Sequence, residues 1–170
     1  MLQNSINNNR SGLVGALLLF VLTFSFSACE DKLTIDNRRG ENDKQIQDYL
    51  RANNIDPATL VNTKSGLYYQ KLEEGTGAKV YAGDNVSVHY KGTLLNGTEF
   101  DTSYDDNKPL ELKVGVGQVI RGWDEGLQLM KEGEKGRLFV PAYLAYEGQN
   151  RGTIPPYSVL VFEMHIVDIK

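Results

Sequence analysis

The chain has a single cysteine, Cys29, among its 170 residues. One cysteine cannot form an intramolecular disulfide, so the fold has to be stabilised by its hydrophobic core alone. Histidine is also scarce: His89 and His165 are the only two, and both fall on the polar sides of predicted strands. The sequence contains no HExxH motif, no paired CxxC and no EF-hand loop, and no serine or cysteine lies in a nucleophile motif. It therefore indicates neither a dedicated metal site nor nucleophilic catalysis.

Positive charge is not in excess either. Lys and Arg total 18 against 22 Asp and Glu, which gives a formal net charge of −4. Proteins that bind nucleic acid usually carry a basic patch or stripe, and this chain has no basic cluster. Nucleic acid is therefore not expected as a partner. The length allows one ordinary domain with a real core, plus tails.

Residues 1–28 are predicted to be a lipoprotein-type signal peptide. Arg10 is their only charged residue, and the apolar run over 13–26 is too short to span a bilayer but suits an export signal. Small residues directly before Cys29 resemble a bacterial lipobox. We therefore expect Cys29 to carry lipid at the mature N-terminus and to attach the protein to a bacterial membrane on its extracytoplasmic side. A plain signal peptide or anchor with an incidental cysteine is the alternative.

The rest of the chain divides into a tether with a short amphipathic helix (29–62) and a globular domain (63–170). The tether is dense in charge and poor in large apolar residues, as solvated segments are. Within 40–54, three apolar residues recur at helical spacing, with Asn42 or Asp43 available as an N-cap. These three are Ile46, Tyr49 and Leu50. The apolar face of this helix could dock on the domain, pair with another chain or be marginal in isolation, and docking is the ordinary outcome.

The globular part predicts an α+β fold. Alternating apolar and polar residues predict strands over 66–73, 85–95, 98–101, 110–114, 137–140 and 158–169, and Asn96-Gly97 predicts a two-residue hairpin turn. Over 117–130, apolar residues at spacings of three and four predict one buried helix: Ile120, Trp123, Leu127 and Met130. We therefore expect an antiparallel β-sheet curled around one short central α-helix. The long loop over 141–157 carries apolar residues, which indicates a binding or covering role.

Several motifs together, in order and spacing, resemble the FKBP-type peptidyl-prolyl cis-trans isomerases. They are the segments 88–92, 97–103, 117–127, 154–156 and 160–162. The resemblance covers residues 66–170. It implies an antiparallel sheet around a short helix and an apolar pocket for the prolyl ring of a polypeptide substrate. It also implies no cofactor, and possible binding of the family's macrolide inhibitors.

Carried over by position, the resemblance assigns catalytic roles to Tyr90, Phe100, Asp101, Ile120 and Tyr146, and substrate binding to Leu110, Leu112, Val119, Trp123, Ile154 and Phe162. It implies that the Ile120 N–H and the Tyr146 hydroxyl bind the carbonyls flanking the proline, with Trp123 at the pocket floor. The apolar members could instead be ordinary core. Two departures from the family pattern are Leu110, where an aromatic residue is frequent, and Glu147, which is inserted after Tyr146.

The expected function is prolyl isomerisation that assists the folding of exported proteins. Rotation about an X-Pro bond breaks no covalent bond, so an enzyme needs only to bind the twisted amide better than the planar one. A module that holds proline-containing or unfolded segments with little turnover is the alternative. A purely structural lipoprotein would require its own loop to fill the pocket.

Overall fold

The computed structural model describes residues 37–170. The predicted signal peptide over 1–28, the expected lipid site at Cys29 and the start of the tether lie outside the described residues. The account below concerns the compact unit Arg39–Lys170, together with the start of its first helix. Within residues 37–170, none of the helices has both the length and the apolar character needed to cross a bilayer.

Within the described residues, seven strands form one sheet in which every neighbouring pair is antiparallel. They are β1 (Leu60–Asn62), β2 (Tyr68–Glu73), β3 (Asn85–Leu94), β4 (Glu99–Thr102), β5 (Leu110–Lys113), β6 (Lys135–Val140) and β7 (Leu160–Ile169). Their order is β1-β2-β6-β7-β3, and β4 and β5 share the outer edge of β3. The predicted α+β class is confirmed. Because β1 pairs with β2, the sheet begins before residue 63, where the domain was expected to start.

The sheet has a hydrophobic cluster on each face, and alternate residues of β6 and β7 belong to different clusters. Leu138 and Val140 belong to the main core, whereas Phe139 between them belongs to a second cluster on the opposite face. Helix α1 (37–52) covers that second cluster with Ile46 and Leu50, which are fully buried. The predicted docking of this amphipathic helix is therefore confirmed.

The start of α1 differs from the expectation. Residues 37–40 are already helical, so Asn42 and Asp43 lie inside α1 and the predicted N-cap is wrong. Both side chains instead bond outside the helix. The Tyr68 hydroxyl donates to Asp43 Oδ1 at 2.6 Å, and the Ala142 N–H donates to Asn42 Oδ1 at 2.8 Å.

The central helix is shorter than predicted. Helix α2 spans Arg121–Gly126 and continues as a 3-10 turn over Leu127–Leu129. Ile120 is its N-cap, with extended backbone angles, so residues 117–120 are outside the helix. Gly115 and Gly117, both at positive φ, donate their N–H groups to the Asp124 carboxylate at 2.8 Å each. The chain before α2 is therefore folded back onto the helix and not part of it.

The hairpin after β3 also differs by one residue. The Gly97 N–H donates to the Leu94 carbonyl at 2.9 Å, so Leu95 and Asn96 are the central turn residues. Gly97 follows them in the left-handed region, at φ 84°. This is a three-residue hairpin loop, a type I turn followed by a glycine bulge, which is the next most common connection after the two-residue loop. The predicted two-residue turn at Asn96-Gly97 is wrong, although the strand it predicted does return antiparallel as β4.

Two glycines of α2 contact β6 directly. A Cβ at Gly122 would lie 2.4 Å from Val140 Cγ1, and one at Gly126 would lie 2.5 Å from Leu138 Cδ1. Glycine costs about 1 kcal/mol against alanine inside a helix, so propensity alone disfavours both residues. They are explained by packing, because only a residue without a side chain lets the helix backbone approach this closely.

We expect Gly122→Ala to lower the free energy of unfolding by about 1–3 kcal/mol, because β-branched Val140 has little freedom to move away. Gly40→Ala in α1 is the matched control. A Cβ at Gly40 meets no atom within 4 Å, so helix propensity should raise the free energy of unfolding by up to about 1 kcal/mol. Urea titration measures both. A gain in stability from Gly122→Ala would contradict the packing explanation.

Candidate active site

A cleft of about 360 Å³ opens between the curled sheet, α2 and the loop over 141–157. Its lining residues come from β3, β4, β5, β7, the segment before α2, α2 itself and the loop. They are Tyr90, Phe100, Asp101, Leu110, Gln118, Val119, Ile120, Trp123, Tyr146 and Phe162. The structure therefore brings together nine of the eleven residues predicted for the site, which are spread over 73 positions of the sequence.

The floor of the cleft is a set of aromatic rings packed edge to face. The Trp123 ring centroid lies 4.9 Å from that of Tyr90 and 5.2 Å from that of Phe162. Phe100 in turn lies 5.6 Å from Phe162 at an interplanar angle of 86°. Edge-to-face pairs of this kind contribute about 0.5–1.5 kcal/mol beyond the burial of their area. The rings therefore fix one another and present an ordered apolar surface.

Gly92 on β3 makes room for this arrangement. A Cβ there would lie 2.6 Å from Phe100 and 3.0 Å from Phe162. Gly92 is paired with Phe162 on β7 and with Asp101 on β4, so both strands place their cleft residues beside it. The missing side chain is what allows the Phe100 ring to lie across β3.

One polar pair stands at the wall of the cleft. The Tyr90 hydroxyl donates to Asp101 Oδ2 at 2.7 Å. Burial, followed by this hydrogen bond, raises the pKa of Tyr90 well above its ordinary value of 10. Tyr90 therefore stays neutral throughout the physiological range, and its proton is held towards Asp101.

The lining contains hydrogen-bond donors that are unused within the described part of the chain. The Trp123 indole N–H is buried without a partner, and no hydrogen bond within residues 37–170 uses the Ile120 N–H or the Tyr146 hydroxyl. The Ile120 carbonyl, by contrast, accepts from the N–H groups of Trp123 and Asp124 at the start of α2. The helix cap thus uses the carbonyl of Ile120 and leaves its N–H at the cleft. Donors beside an apolar floor suit a ligand that has carbonyl groups next to an apolar ring.

Comparison with known proteins decides the family. Residues 77–167 match the sequence profile of the FKBP-type peptidyl-prolyl cis-trans isomerases. The chain belongs to this family. The resemblance predicted from the sequence is confirmed, and so is the predicted enzyme class, a peptidyl-prolyl cis-trans isomerase.

Individual relatives agree with this assignment. The chain is 44% identical over 139 residues to the FKBP-type peptidyl-prolyl cis-trans isomerase FkpA of Aeromonas hydrophila, a match covering 82% of this chain and 51% of FkpA. It is 42% identical over 136 residues to the outer membrane protein MIP of Legionella longbeachae, covering 79% of this chain and 57% of MIP. The chain thus spans little more than half the length of these two relatives. The crystal structure of FkpA from Escherichia coli is similar with a TM-score of 0.66 and 34% identity, covering 92% of this chain and 71% of that one.

Two residues predicted to bind substrate do not line the FKBP-type cleft. Leu112 lies two residues beyond Leu110 on β5, opposite Val86, where the main core covers it. Ile154 belongs to the loop over 141–157, where its side chain is buried in the main core and its backbone is bridged to Arg151. In this structure both side chains support the cleft from the core, and their predicted contact with substrate stays a prediction.

Gln118 lines the cleft although the sequence did not single it out. Its side-chain oxygen accepts from the Lys113 N–H at 2.8 Å, which closes the turn between β5 and α2. The only available signal was its position directly before Val119, since nothing in its chemistry marks it as part of an apolar pocket.

The inserted Glu147 is absorbed by the loop. Its backbone is in the left-handed region at φ 52°, its N–H donates to the Ala142 carbonyl and its carbonyl accepts from the Tyr157 N–H. Tyr146 still lines the cleft. Glu147 therefore takes part in closing the loop, while the hydroxyl-bearing residue Tyr146 stays at the cleft.

The histidines lie outside the cleft lining, opposite each other on β3 and β7. His89 Nδ1 is 2.9 Å from the Ser103 hydroxyl oxygen. The pKa of His165 is lowered by burial and, to a smaller extent, by the positive charge of Lys135 and by the neighbouring His89. Among residues 37–170, no group of three or more His, Cys, Asp or Glu side chains is arranged to hold a metal ion.

The contacts predict unequal contributions from Asp101 and Phe100. Asp101→Ala removes one hydrogen bond to Tyr90, worth about 1 kcal/mol, and should lower kcat/KM about fivefold. Phe100→Ala removes a ring whose burial is worth about 2 kcal/mol and should lower kcat/KM about 30-fold. Isomerisation of a short X-Pro peptide measures both, with circular dichroism as the folding control. A larger loss from Asp101→Ala than from Phe100→Ala or Trp123→Leu would show that the carboxylate has a direct role.

Proposed function

We propose that the cleft accelerates rotation about X-Pro bonds by stripping water from the amide and binding its twisted form preferentially. The unassisted rotation faces a barrier of about 18–20 kcal/mol, set by amide resonance. Water stabilises the polar planar amide more than the less dipolar twisted one. An apolar site therefore lowers the barrier without any covalent step.

The observation that carries the proposal is the pairing of an apolar aromatic floor with unused hydrogen-bond donors. In the proposed complex the prolyl ring lies on Trp123, between Tyr90 and Phe162. The Ile120 N–H and the Tyr146 hydroxyl bind the carbonyls on either side of the ring. Held at both flanks, the chain can pivot about the amide bond between them. Val119 and Leu110 complete the apolar surround.

The Tyr90–Asp101 pair has a supporting role in this proposal. Because the Tyr90 proton is engaged with Asp101, the phenol presents its ring to the prolyl ring and does not compete for a substrate carbonyl. The reaction requires no proton transfer, and the raised pKa of Tyr90 means that the phenol keeps its proton and its hydrogen bond to Asp101. Macrolide inhibitors of the family would enter the same cleft and compete with proline-containing polypeptides.

We also propose that the protein acts outside the cytoplasm, attached to a bacterial membrane through lipidated Cys29. The signal-like segment over 1–28 supports this, as does the name of the Legionella longbeachae relative, an outer membrane protein. Residues 29–62 would then place the isomerase domain (63–170) at a distance from the membrane, with β1 already part of its sheet. Its substrates would be exported polypeptides, for which isomerisation over tens to hundreds of seconds limits folding.

The direct test compares the full-length chain, purified in mild detergent, with a Phe100→Ala/Tyr146→Phe double variant. Loss of the ring and of one hydrogen bond should together cost about 3 kcal/mol, which lowers kcat/KM roughly 100-fold. Tyr81→Phe is the matched control, because Tyr81 is 62% exposed and not in the cleft lining. It should retain full activity.

A folded parent that binds proline-containing peptides without accelerating their isomerisation would contradict the proposal. That result would favour the alternative function, a module that holds unfolded segments.

A further inference from the structure

We propose that Asn42 of α1 is a positioning residue for Tyr146, so that the N-terminal helix sets the geometry of the active cleft. Asn42 precedes the segment that matches the family profile, residues 77–167. This inference rests on the proposed role of the Tyr146 hydroxyl. It adds a contribution from a part of the chain to which neither the motifs nor the comparisons assign one.

Asn42 is a buried polar side chain that joins both ends of the long loop. It is only 4% exposed. Its Oδ1 accepts from the Ala142 N–H at 2.8 Å, and its Nδ2 lies 3.4 Å from the Tyr157 carbonyl, to which it donates. A side-chain amide can accept from one backbone group and donate to another at once, which a carboxylate or an ammonium cannot. The residue type therefore fits the two bonds that it makes.

The bonds continue from Asn42 to the residues flanking Tyr146. The Ala142 carbonyl accepts from the N–H groups of Ala145 and Glu147, at 2.9 and 2.8 Å. The Glu147 carbonyl then accepts from the Tyr157 N–H at 2.7 Å. Two backbone bonds thus link Ala142, Glu147 and Tyr157 in a row, and the Asn42 side chain closes the ring by bonding to Ala142 and Tyr157. Tyr146 lies between the two residues bonded to Ala142.

The backbone at Glu147 explains why an external support is needed. Glu147 occupies the left-handed region at φ 52°, which a non-glycine residue adopts only when its surroundings enforce it. The bonds to Ala142 and Tyr157 supply that enforcement. Without Asn42, the Ala142 N–H would be buried without an acceptor, and the loop would rearrange to satisfy it. Tyr146, directly before the strained residue, would move with it.

A purely structural role of Asn42 would affect stability and activity differently from a positioning role. α1 is attached to the sheet mainly by Ile46 and Leu50, whose contacts are apolar and lie on the face away from the cleft. A general loosening of α1 would lower stability but would not act selectively through the Tyr146 hydroxyl. Coupling to Tyr146 is therefore the property that distinguishes positioning from support.

The test is a double-mutant cycle in the full-length chain, with Asn42→Ala and Tyr146→Phe made separately and together. We expect Asn42→Ala to lower kcat about fivefold with KM changed less than about twofold, because the affected hydrogen bond acts in the transition state. In the Tyr146→Phe background the same change should lower kcat by less than about twofold. Lys44→Ala is the control. Lys44 is exposed on the same helix and forms a surface ion pair with Asp48, away from Asn42, so kcat should stay within about twofold of the parent.

Two further measurements keep the proposal falsifiable. Asn42→Asp keeps an acceptor for the Ala142 N–H but loses the donor to the Tyr157 carbonyl. We expect it to lower kcat by less than the fivefold expected for Asn42→Ala, and it replaces that variant if Asn42→Ala does not fold. Amide hydrogen exchange of Ala142, Glu147 and Tyr157 should quicken in Asn42→Ala and not in Lys44→Ala. This readout does not depend on turnover, so it tests the loop contact even if the parent proves inactive and the proposed function fails.

An equal loss of kcat from Asn42→Ala in both backgrounds would overturn the proposal, since Asn42 would then act independently of Tyr146. Unchanged kcat and unchanged exchange in all Asn42 variants would overturn it as well.

Discussion

Direct contact between the backbone of α2 and β6 is the constraint on which the site depends. A helix of six residues is too short to be stable by itself. Gly122 and Gly126 remove the side chains that would otherwise separate it from Val140 and Leu138. At that distance Trp123 is buried against the rings of the sheet and becomes the cleft floor. The low helix propensity of the two glycines is thus offset by the packing that they allow.

The same sheet lines the cleft on one face and packs against α1 on the other, because successive residues of a strand point to opposite faces. On β7, Phe162 points to the cleft side and Val161 to the side that α1 covers. A slip of one residue in strand register would exchange these two sets. The docking of α1 on the far face also brings Asn42 to the base of the loop that carries Tyr146. One face of the sheet therefore forms the cleft, while the other carries the helix that contacts the cleft loop.

Short-range periodicity was enough to predict the fold class, whereas the cleft residues could be predicted only through the resemblance to the FKBP family. Tyr90, Phe100 and Trp123 lie within motifs that match as units, and period-two alternation located the strands. The helix was predicted too long because Ile120 and Met130 keep helical spacing while their backbones leave the helix. Leu112 and Ile154 are buried in the core and are not exposed at the cleft, which depends on tertiary neighbours that the local sequence does not reveal. The contact of Asn42 with residues about one hundred positions away has no local signature at all.

The most direct measurement is NMR exchange spectroscopy of an X-Pro peptide with the full-length chain, together with intermolecular NOEs. The account predicts that cis and trans signals exchange much faster in the presence of the protein. It also predicts NOEs from the prolyl ring to the indole of Trp123, which is the only tryptophan and therefore unambiguous. Accelerated exchange with prolyl NOEs to residues outside the cleft, or NOEs to Trp123 without acceleration, would contradict the account.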